Sequence, residues 1–283
     1  MSSVRREKRL ALASVDYANK TTKELKALSR TVLENCMHGL CFSPYEDNQK
    51  PGDQISEAQI RRRMEIIKPY TKWIRSFSCT DGNEAIPRIA KEYGLKTLVG
   101  AWLGDDPEIN KKEIKNLIQL AKDGYVDIAA VGNEVMYRGD LTEDELLNFI
   151  YAVKEAIPNI QVGYVDAYYE FEDRPRITEA CDVILANCYP FWEGCDQDYS
   201  LLYIKDMYNK ALRAGKGKKV IISETGWPSE GTNLDGAFPS FENYLKYFIN
   251  IINWTEEEEI DVFYFSSFDE SWKVGAEGDV GAF

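Results

Sequence analysis

Apolar residues gather along this chain in eight short runs, separated by charged stretches with helical spacing. The runs are 39–45 (GLCFSPY), 73–78 (WIRSFS), 95–103 (LKTLVGAWL), 128–135 (IAAVGNEV), 160–168 (IQVGYVDAY), 183–191 (VILANCYPF), 219–226 (KVIISETG) and 261–268 (DVFYFSSF). Their near-continuous hydrophobicity fits parallel strands covered on both faces. Between them, 55–69, 107–122 and 142–157 read as helices. Thr142 followed by Asp144 and Glu145 makes a capped start with acids over the positive helix end, and Pro107 suits a first helical position. Eight βα units within about 245 residues predict a single (β/α)8 TIM-type barrel. An open, doubly wound sheet is the alternative. It usually carries a glycine-rich first βα turn, whereas SPYEDNQKPGDQ contains neither GxGxxG nor a P-loop.

The two ends of the pattern fit each other. Residues 20–36 (KTTKELKALSRTVLENC) form an amphipathic helix that precedes the first run, with Leu25, Leu28, Val32 and Leu33 on one face. Few residues follow the eighth run, too few for an eighth outer helix. The N-terminal helix is therefore expected to fill the gap between the eighth and first strands. This divides the chain into an extension, 1–36, and a barrel, 37–283.

Composition narrows the function. Of the 283 residues, 44% are hydrophobic and 12% aromatic, enough for a large core rather than a disordered chain. The net charge of −13 repels phosphate backbones and argues against nucleic acid, but it would not repel a neutral polymer. The six cysteines contain no CxxC pair, so neither a zinc ribbon nor a redox motif is indicated. Cys188 and Cys195 are close enough in sequence for a local disulfide, and free thiols are the simpler reading. The single histidine, His38, rules out a two-histidine metal site, and its place beside the first strand suggests a structural role. Neither a metal nor a cofactor is therefore expected. No apolar run approaches the length of a membrane span. The N-terminus, with LALASV after its basic residues, lacks the apolar core of an export signal.

In barrels of this kind the functional groups project from the C-terminal ends of the strands. The acids there are Asp81, Glu134, Asp166, Glu224, Asp269 and Glu270. Glu134 and Glu224 stand out because each closes an apolar strand, AAVGNE and KVIISE. A carboxylate at a buried strand end is costly unless it is hydrogen-bonded or used. A salt-bridged strand end is the plain alternative for either one alone. Together they are what glycosidic cleavage needs: one group protonates the leaving oxygen, and the other attacks the anomeric carbon or activates water. A separation of about 5–5.5 Å would mean retention through a covalent intermediate. Asn133, beside Glu134, could hydrogen-bond a sugar hydroxyl, or simply end the strand.

Aromatic residues gather at the same strand ends: Tyr45, Trp102, Tyr137, Tyr168, Tyr169, Tyr189, Phe191, Trp192, Trp227 and Trp272. Sugar rings have apolar faces that stack on such side chains. Any one of them could be core. As a set they point to a lined cleft.

VGNEV at 131–135, ISETGWPS at 222–229 and FDESWK at 268–273 resemble glycoside hydrolase family 17 in order and spacing, from about Gly39 onward. The resemblance implies a (β/α)8 barrel and a retaining enzyme, most simply an endo-β-1,3-glucanase of laminarin-degrading type. It also implies that Glu134 is the acid/base and Glu224 the nucleophile. Glu270 and Lys273 match residues that support the centre, Tyr45 and Tyr189 match pocket tyrosines, and Trp227 would shape the pocket. Asp81, Trp102 and Tyr137 complete the expected binding set by position. Family members commonly continue past the eighth strand with a glycine-rich segment and a final helix, whereas this sequence ends at GDVGAF. The family also contains β-1,3-glucanosyltransferases that use the same two glutamates, and a glucan-binding barrel without catalysis is a further alternative. The expected partner is a β-1,3-glucan, bound by a monomer, and such a substrate implies a secreted or periplasmic enzyme.

Overall fold

The computed structural model describes Tyr17 and residues 19–273. Eight strands close into a parallel barrel in sequence order: β1 Met37–Cys41, β2 Thr71–Ser76, β3 Lys96–Ala101, β4 Ile128–Asn133, β5 Gln161–Ala167, β6 Val183–Asn187, β7 Lys219–Thr225 and β8 Val262–Tyr264. This is the (β/α)8 barrel. Closure is tight: Gly39 pairs with Phe263, and a Cβ at Gly39 would lie 2.5 Å from the Phe263 ring, so only glycine fits there.

In chain order, the helices are α1 Thr22–Glu34, α2 Glu57–Ile67, α3 Ala85–Glu92, α4 Pro107–Lys122, α5 Val135–Arg138, α6 Glu143–Ala156, α7 Glu170–Asp173, α8 Pro175–Ala180, α9 Ser200–Gly215 and α10 Phe241–Glu257. Their starts follow the local chemistry. Thr142 and Glu145 form a reciprocal capping box at α6, Thr21 and Glu24 form another at α1, and Asp106 caps α4 ahead of Pro107. α1 packs on one side against α10, which leads into β8, and on the other against the turn Lys68–Tyr70, which leads into β2. It thus occupies the wall position between β8 and β1. Leu25 and Val32 are buried there, with Leu28 and Leu33 packed beside them. The Thr22 hydroxyl donates to Glu242 at 2.5 Å, and Lys26 lies over the Phe241 ring at 4.9 Å.

The ladders of β1 and β8 end earlier than the apolar runs 39–45 and 261–268. Beyond them the chain keeps bonding to its neighbours without regular pairing: Phe42 donates to Arg75, Phe265 to Thr225 and Ser267 to Cys41. These residues lie beyond the C-terminal ends of their strands, where loops rather than strand pairing set side-chain direction. His38 lies toward the opposite end. Its ring meets the Val262 carbonyl at 3.0 Å and Asp261 at 3.1 Å and stacks on Trp73, a structural role. All six cysteines are free, Cys188 and Cys195 included. Among the described residues, no helix is long and apolar enough to cross a membrane.

Candidate active site

At the end of β4 the ladder to β5 shifts register between Ala130 and Asn133. Gly132 takes a φ of 85° and Glu134 a φ of 52°. A side chain at 132 would meet Val135 at 2.8 Å, so this left-handed step is reserved for glycine. Irregularities of this kind re-aim side chains near active sites. Here the step lets adjacent Asn133 and Glu134 both serve the mouth. β7 shifts against β6 and β8 as well, around Glu224 and Thr225.

The two glutamates share one partner. The Asn187 amide at the end of β6 donates to Glu134 Oε1 at 2.9 Å and to Glu224 Oε1 at 3.1 Å. Both bonds run from the one amide nitrogen, so the two acceptor oxygens lie within about 6 Å of each other. The Asn187 oxygen is held in turn by the Ser223 hydroxyl at 2.8 Å. Glu224 also accepts from Arg75 Nη1 at 2.6 Å and from the Tyr189 hydroxyl at 2.9 Å. Arg75 Nη2 donates to Asn133 Oδ1 at 2.6 Å. One buried guanidinium therefore ties β2, β4 and β7 together, with the Phe77 ring beneath it at 4.2 Å. A buried charge needs such pairing, and each partner is at stake if it is lost.

The two carboxyls differ in environment. Glu224 is paired with a cation. Burial pushes the Glu134 carboxyl up to about 7, aided by the negative charges of Glu224 and Asp166 and opposed by the Asn187 bond and Arg138. A carboxyl that holds its proton near neutrality, facing a paired carboxylate, can act as an acid while the other acts as a nucleophile.

The remaining expected residues differ in depth and in partners. Tyr45 meets Trp272 edge-on at 6.1 Å, and burial raises its hydroxyl above the ordinary tyrosine value. Glu270 is buried, its carboxyl is pushed up by that burial, and Lys273 lies 3.5 Å away. Lys273 also sits over the Phe265 ring at 4.4 Å, and Phe265 contacts Tyr189. Trp102 and Tyr137 are 38% and 63% exposed, so both rings can receive a ligand. Arg138 lies over Trp102 at 4.6 Å and donates to the Asn133 carbonyl at 2.6 Å, joining that ring to the glutamate turn.

Two expected binding residues are engaged within the protein itself. Trp227 is completely buried: its indole N–H donates to the Phe238 carbonyl at 3.1 Å, and its ring packs on Phe191 and Tyr247. It supports the wall from behind and offers no face to a sugar. Its position just after a strand is shared by lining and core residues alike, so sequence could not separate them. Phe191 is buried for the same reason. Asp81 takes a φ of 56°, its carbonyl accepts from Ile55, and its carboxylate accepts from Thr80 at 3.5 Å, which makes it a turn residue.

Arg75 and Asn187 were not singled out from sequence. Arg75 is the only base within the run WIRSFS, and Asn187 the polar break in VILANCYPF; both are out of place in a buried strand unless partnered. Among the described residues no cluster of side chains could hold a metal ion.

Comparison with known proteins identifies the family. The BtgE/BtgC glycoside hydrolase domain matches residues 39–283. The chain is 30% identical over 251 residues to a glucan 1,3-beta-glucosidase of Arthroderma benhamiae, covering 82% of this chain and 80% of that one. A glucan 1,3-beta-glucosidase of Saccharomyces cerevisiae is 27% identical over 246 residues, covering 79% of each. Among solved structures, the glycoside hydrolase family 17 beta-1,3-glucanosyltransferase of Rhizomucor miehei aligns with a TM-score of 0.78 and 30% identity, over 88% of this chain and 92% of that one. An active-site mutant of the Rhizomucor enzyme was solved in complex with laminaritriose. The chain belongs to the BtgE/BtgC glycoside hydrolases and to glycoside hydrolase family 17.

Proposed function

We propose that this enzyme cleaves β-1,3-glucan with retention, with Glu224 as nucleophile and Glu134 as acid/base. The observation that carries the reading is the Asn187 amide bonded to both carboxyls, which keeps their facing oxygens within about 6 Å of each other. An inverting pair stands about 6.5–9.5 Å apart to admit a water. In the first step a Glu224 oxygen bonds to the anomeric carbon as the glycosidic bond breaks. Glu134 gives its proton to the departing oxygen. In the second step Glu134, now charged, takes a proton from water, whose oxygen displaces Glu224. Arg75 and Tyr189 hold the nucleophile in place. Arg75 occupies the oxygen of the Asn133 amide, which leaves the amide NH₂ to donate to the sugar hydroxyl beside the reacting carbon. Tyr45, Glu270, Lys273, Trp102 and Tyr137 form the substrate walls. The catalytic unit is the barrel, 37–283, working as a single chain, with the preceding extension supplying α1 to its wall.

Transfer to a second glucan is the other reading. Trp102 and Tyr137 favour it: both rings are exposed, Tyr137 lies in the turn after Glu134, and Arg138 joins Trp102 to that turn, so an acceptor sugar could stack there. The test is incubation with laminari-oligosaccharides, with products read by mass and the first-formed anomer by NMR. Shorter β-products support hydrolysis, and products longer than the substrate support transfer. First-formed α-anomers, or no conversion by folded protein, would count against the proposal.

A further inference from the structure

Glu134 is followed by a single helical turn, α5, and β5 holds that turn at three points. The Glu134 N–H donates to the Val165 carbonyl at 2.8 Å, the Met136 N–H to the Tyr164 hydroxyl at 2.9 Å, and the Tyr137 N–H to Asp166 at 3.4 Å. The Tyr164 hydroxyl donates in turn to the Asp166 carboxylate, whose other oxygen accepts from the Ala167 N–H at 2.8 Å. Asp166 is fully buried. The groups that act on its charge are the neutral donors Tyr164, Ala167 and Tyr137, together with another acid, Glu170. A buried carboxylate stabilised by neutral donors is expensive. An asparagine could accept at one position only and would turn its NH₂ toward a donor at the other, so these bonds call for a carboxylate, whose charge then acts on Glu134.

We infer that Asp166 is a positioning residue for the acid/base step: with Tyr164 it fixes the turn that aims Glu134, and its negative charge keeps the Glu134 proton in place until the glycosidic oxygen takes it. This rests on the reading of Glu134 as acid/base. The charges facing Glu134 are Glu224 from β7, Asp166 from β5 and Arg138 from α5, with the neutral Asn187 from β6. Glu170, which faces Asp166 from α7, is itself paired with Arg174 at 2.7 Å. Burial pushes Asp166 up to about 6, below the value of about 7 for Glu134. Both carboxyls are raised by burial, and the two titrate as a coupled pair.

The test is the pH dependence of kcat/KM on laminari-oligosaccharides for the wild type and Asp166→Asn. Removing the charge should move the alkaline limb toward acid by about half a unit. A uniform loss of activity with the limb unmoved would mean that Asp166 only braces the turn. Glu134→Ala, assayed on an aryl β-glucoside with a good leaving group, separates the two claims. A limb that persists in that variant removes the acid/base reading and the inference with it. A limb that vanishes there but stays fixed in Asp166→Asn overturns the inference alone. Should Asp166→Asn not fold, Asp166→Ser takes its place: its alkaline limb should likewise move toward acid, and an unmoved limb overturns the inference.

Discussion

Glu134→Gln should make the protein more stable at alkaline pH while removing its function. The Glu134 carboxyl is raised from 4.5 to about 7 in the folded state. The sign follows from proton binding. Between about pH 4.5 and 7 the native state holds a proton that the unfolded chain has released, so stability falls as pH rises through that window. A rise of this size corresponds to about 3 kcal/mol, and the partial exposure of Glu134 at the cleft mouth trims it. Glutamine cannot ionise, yet it keeps an oxygen for the Asn187 amide. In urea unfolding the variant should therefore match the wild type near pH 4.5 and exceed it by up to about 3 kcal/mol at pH 8. Equal stabilities at both pH values would refute the reasoning, because they would mean that the folded protein does not disfavour the Glu134 charge.

Glu134→Ala should slow the hydrolysis of natural glucan by orders of magnitude but spare aryl glucosides whose leaving groups need no proton; equal losses on both substrates would sink the acid role. Arg75→Gln should cost roughly 3–5 kcal/mol of stability, because it leaves Glu224 buried without its cation, and should lower kcat in whatever folds. A variant with wild-type kcat and midpoint would show that the guanidinium does not organise the site. Trp102→Ala should raise KM for long oligosaccharides several-fold with little change for the shortest, which a chain-length series would read directly.

The barrel was legible in the sequence because each of its strands is covered on both faces and so shows as a mostly apolar run. The two glutamates were legible for the related reason that each interrupts such a run at its C-terminal end. The place of α1 followed from counting helices against strands, with its apolar face as the second clue. Depth at the mouth was harder to read. Trp102 and Trp227 both follow strands, yet one is exposed and the other is sealed behind Phe191, because loop geometry rather than strand period decides which way each points. The partners of the glutamates were hidden as well. Arg75 and Asn187 lie 149 and 37 residues from Glu224 along the chain, and only closure of the barrel brings them together. Asp166 could be seen as an acid near a strand end, but its link to Glu134 runs through the Tyr164 hydroxyl and the backbone of α5, which no spacing reveals.

Covalent capture of the nucleophile tests the central claim most directly. A 2-deoxy-2-fluoro β-laminaribioside with an activated leaving group should inactivate the enzyme and leave one glycosyl group on the peptide bearing Glu224, as read by mass spectrometry of a digest. Glycosylation of another residue, or steady turnover of the probe to an inverted product without any label, would contradict a retaining mechanism centred on Glu224.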